Sequence, residues 1–347
     1  MKKNLLITFF IFSTCFVFCA KIKMPEWIIV PSSVYPSDLY LNGTGSGDNR
    51  EIAELEAVKN LSSIFGQTVI SKKVASKKME QALSDKKIEF TSSGNLNQNI
   101  TSQIKAENLI GIEIAEYFYN KSEKKWYAIA ILQKEKTAAI YENFIKKNDD
   151  EVRKALENAE KDLNSFFGYS EIEFALEISE ENDNLLKNLY VIDFEKANSL
   201  SQKVVSVQTL QAVQKKIADN ITIFVNLQND EDNKIKSSFQ DIFSKYGFKT
   251  STSKKERYGL TGKYTSEVSK KGKFSYCIYT LDIQFSDYLG KEELFAINLK
   301  GREGATSEND AINRTFRVLE KNIESEFREN FDSYINNLYY KNIKNKK

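Results

Sequence analysis

The sequence predicts an α+β protein, in which two small mixed sheet-plus-helix domains are joined by a helical connector. Two regions alternate strand-like and helix-like patterns, and a long stretch of purely helical periodicity separates them. The chain has only three prolines and 14 glycines in 347 residues, which favours long regular elements over disorder. The predicted boundaries are 1–20 for a signal peptide, 21–133 for the first domain, 134–220 for the connector and 221–347 for the second domain.

The first twenty residues have the pattern of an export signal. Met1, Lys2 and Lys3 precede an uncharged tract from Leu5 to Phe18. A basic start followed by a short apolar run is typical of a signal peptide, whereas a membrane-spanning helix needs about 20 apolar residues. We therefore expect an exported protein that is periplasmic or associated with the outer membrane.

Two ways of processing this signal remain open. Cys19 is the candidate lipidation site, although bulky Phe18 precedes it where lipoprotein processing favours a small residue. Cys15 follows small residues but would leave an apolar run on the mature protein. Cleavage after Ala20 without lipid is the alternative, and only that route removes the membrane anchor.

The first domain is predicted to begin with a segment that docks across it and a short strand, followed by a glycine-rich turn and a helix. A strand and a lysine-rich connection come next, and the domain ends in an antiparallel hairpin. The docking segment is 25–30, the first strand 39–41, the turn 43–48 and the helix 49–65. The next strand is 68–74, and the hairpin strands are 109–119 and 126–132. The glycine run Gly43 to Gly47 lacks the spacing of a phosphate-binding loop, so we predict a tight structural turn there.

This order of elements resembles the LPP-twenty family of bacterial envelope lipoproteins over roughly residues 25 to 135. An aromatic strand, a glycine-containing segment, a helix with alanines and a later hairpin carry the resemblance: Pro25, Trp27, Tyr40, Leu41, Gly43, Gly45, Gly47, helix 52–65 and hairpin 112–132. The resemblance implies an envelope location and an α+β domain, and it brings no common enzymatic activity. The order of domains is also distantly similar to that of FlgT, a flagellar ring protein of the periplasm.

The second half of the chain is predicted as helices followed by an α/β region. Apolar residues recur at helical spacing from 134 to about 164 and further helix follows to 220. Strands are predicted at 221–225, 248–252, 258–268, 274–285 and 294–299, and helices at 235–246 and from Ser307 onward, where Ser307 and Asp310 resemble a capping box.

Composition excludes several classes of chemistry. The chain has no histidine, which removes histidine-based hydrolases and ordinary zinc sites. Its 50 basic and 48 acidic residues nearly cancel, so nucleic acid is not an expected partner. We predict no catalytic, cofactor-binding or metal-binding residue. The acidic runs 149–151 and 230–232 lack the spacing of a calcium loop and are expected to be solvated turns or helix starts, and Cys277 is expected to be a buried structural thiol.

These observations favour a non-enzymatic envelope protein with an interaction or assembly role, which binds envelope proteins or cell-wall components and can oligomerise. Two alternatives stay open: a hydrolase with two facing carboxylates, or a binding module for a small ligand or cell-wall polymer. An exposed apolar patch or sheet edge would support assembly. An exposed tyrosine contact patch is a further hypothesis, with candidates at Tyr276, Tyr279, Tyr288, Tyr334, Tyr339 and Tyr340.

Overall fold

The computed structural model describes residues 23–65 and 109–345, with side chains to residue 339. The chain divides into two compact units, whose described parts are 23–65 with 109–135 and 136–345. We call them the N-terminal and C-terminal units. The predicted signal peptide with Cys19 and the predicted strand 68–74 lie outside the described residues. Both units combine a sheet with helices, so the predicted α+β class is confirmed.

The N-terminal unit is a three-stranded antiparallel sheet in the order β1-β3-β2, covered by short and long helices. The predicted helix and hairpin are confirmed, and a 3₁₀ turn at Ser63–Phe65 extends the helix. The elements are α1 (Glu26–Ile29), α2 (Pro31–Val34), β1 (Tyr40–Gly47), α3 (Arg50–Ser62), β2 (Ile112–Asn120) and β3 (Lys125–Gln133).

The glycine run does not form the predicted tight turn, because it lies inside strand β1 and pairs with β3 throughout. A Cβ added to Gly43 would lie 2.3 Å from the backbone N of Leu61, and one added to Gly45 would lie 2.2 Å from that of Ala57. The glycines therefore let α3 pack directly on the strand backbone. The prediction of a turn was wrong because glycine serves close packing here rather than a change of chain direction.

The other face of this sheet is closed by α1. Trp27 is 3% exposed and packs against Ile129 and Ile131 of β3. Strand β3 alternates between the two faces, so its alanines Ala128 and Ala130 share the face of the strand glycines that they oppose in register. The central strand is thereby buried on both sides.

The C-terminal unit begins with four helices and continues as a five-stranded mixed sheet in the order β5-β4-β6-β7-β8. Strand β4 is parallel to both neighbours, and the remaining pairs are antiparallel. The helices are α4 (Lys134–Lys161), which starts at the unit boundary, α5 (Phe166–Ile192), α6 (Phe194–Ser201), α7 (Val207–Asn220), α8 (Lys234–Lys245), α9 (Glu308–Asn322) and α10 (Arg328–Asn345). The strands are β4 (Thr222–Gln228), β5 (Lys249–Ser251), β6 (Tyr258–Lys271), β7 (Phe274–Asp287) and β8 (Glu292–Ala305). A π-helical turn, Ile323–Phe327, joins α9 to α10.

The helices expected to form a connector share one hydrophobic core with this sheet. Phe166, at the start of α5, is fully buried. Its ring centroid lies 3.9 Å from that of Tyr258 on β6 and 5.3 Å from that of Phe331 on α10. Sequence periodicity identifies such helices but does not show which sheet they cover. In the structure, residues 136–220 and the second sheet belong to the same unit.

Local signals in the C-terminal unit fix helix ends, and the predicted cap at Ser307 is confirmed. The backbone N of Asp310 donates to Ser307 Oγ at 3.1 Å, which caps α9. Gly247 has a φ of +82° directly after α8 and starts the return into β5. Cys277 is a buried free thiol on the helix-covered side of β7, as expected.

Candidate functional site

The N-terminal unit carries a cluster of aromatic side chains at its surface, formed by Tyr117, Tyr119 and Trp126. We call it the aromatic corner. The ring centroid of Trp126 lies 5.1 Å from that of Tyr119 and 6.1 Å from that of Tyr117. Tyr117 is 50% exposed and Tyr119 is 38% exposed. The three rings support one another, yet two of them keep much of their surface in water.

Strand pairing and the start of α3 place the corner. Tyr119 is opposite Trp126 and Tyr117 is opposite Ala128, so all three rings lie on the sheet face that α3 covers. The guanidinium carbon of Arg50 lies 3.6 Å from the ring centroid of Tyr117. Its Nε is 2.6 Å from Oε1 of Glu54, whose side chain is 6% exposed. The cation is thus held over the ring by a buried carboxylate, an arrangement that fixes both groups.

A second apolar surface of the same unit comes from α1, α2 and the residues after them. Ile29, Val30, Val34 and Leu39 are between 40% and 65% exposed. Their neighbour Trp27 points into the core, so the segment is anchored while its other apolar side chains face solvent. Exposed apolar side chains grouped in this way are typical of contact surfaces.

The C-terminal unit has a depression of about 850 Å³ on the sheet face opposite its helices, which we call the polar trough. Two rows of side chains cross it in strand register. One row places Asn226, Thr261 and Gln284 side by side on β4, β6 and β7. The next row contains Gln228, Lys263, Asp282 and Asn298. The floor of the trough is therefore rich in amides.

Tyr288, in the turn between β7 and β8, stands at one end of the trough and is 41% exposed. Its ring lies so close to Gly259 that a Cβ there would be 2.4 Å from the ring. Asp287 holds the turn, because its Oδ1 accepts from the backbone N of Leu289 at 2.9 Å and of Gly290 at 2.8 Å. Its Oδ2 accepts from Arg257 Nε at 3.0 Å. A partly buried ion pair thus positions an exposed ring.

Two acidic side chains also meet tyrosines within the helical part of the C-terminal unit. Burial raises the pKa of Glu173, whose carboxylate accepts from Gln214 and interacts with Tyr169. Asp332 accepts from Tyr246, and burial together with this hydrogen bond raises the tyrosine pKa. Both carboxylates are therefore already engaged by side chains of the protein.

The acidic run 230–232 is a turn at a helix start, as predicted, whereas Asp149 in the run 149–151 is not solvated. Asp149 is 9% exposed in the middle of α4, where its Oδ1 accepts from the backbone N of Val205 at 2.7 Å and its Oδ2 from Arg153 Nε at 2.8 Å. Asp230 accepts from the backbone N of Ile235 and of Lys236 and so supports the start of α8. Within the described ranges, no group of three or more cysteine, aspartate or glutamate side chains is placed to hold a metal ion.

Of the tyrosines suggested as a contact patch, Tyr288 is the one with a largely exposed ring among the described side chains. Tyr279 is 2% exposed, Tyr334 and Tyr339 pack against the core, and Tyr276 lies under the guanidinium of Arg302 at 4.0 Å. Tyr340 is outside the described side chains. Sequence reasoning missed Tyr117 and Tyr119, although their i,i+2 spacing beside the Trp126 strand was a usable signal.

Comparisons with known proteins find little similarity in sequence or structure. No family model matches the chain, and no curated protein matches it. Two solved structures share 14% sequence identity with it. The secreted protein HP1454 of Helicobacter pylori aligns over 83% of this chain and 98% of its own, with a TM-score of 0.33. A minor lipoprotein of Acinetobacter baumannii aligns over 33% of this chain and 94% of its own, with a TM-score of 0.25. Among the described helices, none is long and apolar enough to cross a membrane.

Proposed function

We propose that this chain is a non-enzymatic protein of the bacterial envelope, exported by residues 1–20, which binds a partner protein through the aromatic corner. The observation that carries this proposal is the exposure of Tyr117 and Tyr119 beside Trp126 and Arg50. Tyrosine, tryptophan and arginine are the residue types that dominate the energetics of protein interfaces.

The corner is also well prepared for binding. Its rings pack against one another, and Arg50 is tied to Glu54, so few side-chain rotamers are left to be lost when a partner binds. Because ordering each flexible side chain costs about 0.5–1.5 kcal/mol, such preorganisation favours affinity. The exposed side chains of α1 and α2 give the same unit additional apolar contact area.

The envelope location rests on the basic and apolar pattern of residues 1–20 and on the resemblance to the LPP-twenty family over residues 25 to 135. An enzyme is less well supported. Of the two carboxylates that meet tyrosines, Glu173 accepts from Gln214 and Asp332 from Tyr246, so neither is aimed at a free cleft. In the polar trough, Asp282 accepts from the amide of Asn298.

Site-specific photo-crosslinking tests the interaction. A photoreactive phenylalanine analogue replaces Tyr117, which is 50% exposed, and in a control it replaces Phe274 of the C-terminal unit, which is 51% exposed. We expect illumination of whole cells to give a discrete adduct from position 117 and none from position 274. No adduct at position 117, or the same adducts at both positions, would contradict the proposal.

Intact mass spectrometry of the protein from envelope fractions tests its export. A diacyl or triacyl mass on Cys19 identifies a lipoprotein, and a start at Lys21 without lipid identifies a periplasmic protein. A mature chain that keeps residues 1–20 would refute export by this segment.

A further inference from the structure

The amides of the polar trough are concentrated there and absent from the adjoining rows of the same sheet face. Its two rows contain Asn226, Gln284, Gln228 and Asn298. Farther along the same strands, the next row of described residues is Thr265, Thr280 and Lys300. Exposure to solvent alone does not explain why amides are concentrated in these two rows.

Amide side chains both donate and accept hydrogen bonds, and so do the hydroxyl groups of sugars. The side-chain amides of Asn226 and Gln228 make no hydrogen bond to any described residue, so both amides are available to a ligand. The spacing between adjacent strands, about 4.8 Å, sets these groups out as a regular grid. The trough is thus suited to a ligand with many evenly spaced hydroxyl groups.

The trough carries charges of both signs, because two lysines and one aspartate line it and the carboxylate of Glu293, which accepts from Gln284, lies beside it. Lys263 and Asp282 are directly opposite each other on β6 and β7, and Lys254 lies at the margin. A strongly anionic ligand would meet the carboxylate of Asp282, and a cationic one would meet both lysines. This balance favours an uncharged ligand.

Tyr288 adds an apolar surface to this polar floor. One side of its ring rests on Gly259, and its exposed part faces the trough. The partly buried pair of Asp287 and Arg257 fixes the turn that carries the ring. An aromatic ring beside hydrogen-bonding amides can contact the apolar face of a sugar ring while the amides bind its hydroxyls.

We propose that the polar trough is a binding site for a neutral glycan chain, with Tyr288 as the surface on which one sugar ring stacks. The volume of about 850 Å³ lies within the usual range for ligand sites and accommodates several sugar units. This site goes beyond the proposed function, since it belongs to the C-terminal unit and uses none of the residues of the aromatic corner.

Isothermal titration calorimetry of the full mature chain tests the proposal with three probes: cellohexaose, chitohexaose and the acidic hexagalacturonate. We expect cellohexaose or chitohexaose to bind and hexagalacturonate to bind more weakly. Tyr288→Ala and Asn226→Ala should each weaken binding about tenfold or more. Tyr276→Ala, which alters a tyrosine on the same strand face outside the trough, is the matched control and should leave affinity unchanged.

Circular dichroism confirms that each variant is folded. No binding of either neutral probe at millimolar concentration would overturn the proposal, as would preferential binding of hexagalacturonate. An equal loss with Tyr276→Ala would show that binding is not specific to the trough and would also overturn it. Replacement of Tyr117 leaves glycan binding intact, so failure of this test is distinguishable from failure of the crosslinking test.

Discussion

Replacing Gly45 by alanine tests how closely α3 packs on β1. The new Cβ would lie 2.2 Å from the backbone N of Ala57 and 2.3 Å from the backbone O of Ala53. Heavy atoms in good contact are separated by about 3.5 Å or more, so the helix must withdraw by about 1 Å. Backbone atoms of a helix cannot turn aside as the end of a side chain can.

Two opposing terms decide the result. Alanine restricts the unfolded chain and fits a strand better than glycine, which favours the variant by about 0.5–1 kcal/mol. Overpacking a core costs about 1–3 kcal/mol, and a gap of about 1 Å forfeits up to half of the dispersion energy of the separated atoms. The lost contacts involve Ala53, Ala57 and Leu61, all of them fully buried. Because the clash involves backbone atoms, the cost lies in the upper part of its range, and we expect a net loss of about 1–2 kcal/mol.

Tryptophan fluorescence during urea unfolding measures this loss selectively. The chain has two tryptophans, Trp27 and Trp126, and both belong to the N-terminal unit. Ser46→Ala is the control, since its side chain is exposed on the same strand, and it should change the free energy of unfolding by less than about 0.5 kcal/mol. A change of similarly small size for Gly45→Ala would refute the close packing described above.

Three further predictions concern the C-terminal unit. Burial raises the pKa of Glu173, so the folded state holds its proton more tightly than the unfolded state. The stability that the protonated Glu173 gives the folded state is fully present below the unfolded pKa of this carboxyl and is lost as pH rises through its folded pKa. Because glutamine stays neutral, Glu173→Gln should stabilise the protein more at pH 8 than at pH 4 in thermal unfolding. A pH-independent effect would contradict this. Asp287→Ala removes the closer of the two carboxylate partners of Arg257, leaving Asp162 at 3.5 Å, and it uncaps the turn at Tyr288. The change should cost about 1–3 kcal/mol in urea unfolding followed by circular dichroism. A loss below about 0.5 kcal/mol would show that the pair is not important. Ser307→Ala removes the cap of α9 and should cost about 1 kcal/mol by the same assay, with Ser307→Asp close to the parent as control.

The sequence predicts the elements well where a local signal defines them. The helix at 234–245 and the hairpin strands at 112–120 and 125–133 follow from periodicity and turn residues alone. Packing that depends on distant residues is not visible in this way. Gly43 and Gly45 are residues typical of a turn, yet pairing with the distant β3 makes them part of a strand and close packing of α3 explains why they are glycines.

The candidate sites show the same division between local and distant information. Tyr288 could be proposed from composition, because tyrosine suits interfaces, but its position over Gly259 depends on pairing between β6 and β7. The sequence around Asp149 predicts a solvated side chain, yet its carboxylate is buried and accepts from the backbone N of Val205, 56 residues away. The amide rows of the trough combine four strands, so no single segment reveals them.

The packing of α3 also accounts for the aromatic corner. Along most of the helix the sheet presents glycine and alanine, which bring the two backbones together and leave no room for large side chains. Near the start of α3 that surface ends, and the larger rings of Tyr117, Tyr119 and Trp126 follow on β2 and β3. Arg50, in the first turn, is the helical residue that reaches them. Large rings that the closely packed helix leaves uncovered stay at the surface, so the small-residue packing that stabilises the N-terminal unit also leaves the aromatic corner exposed.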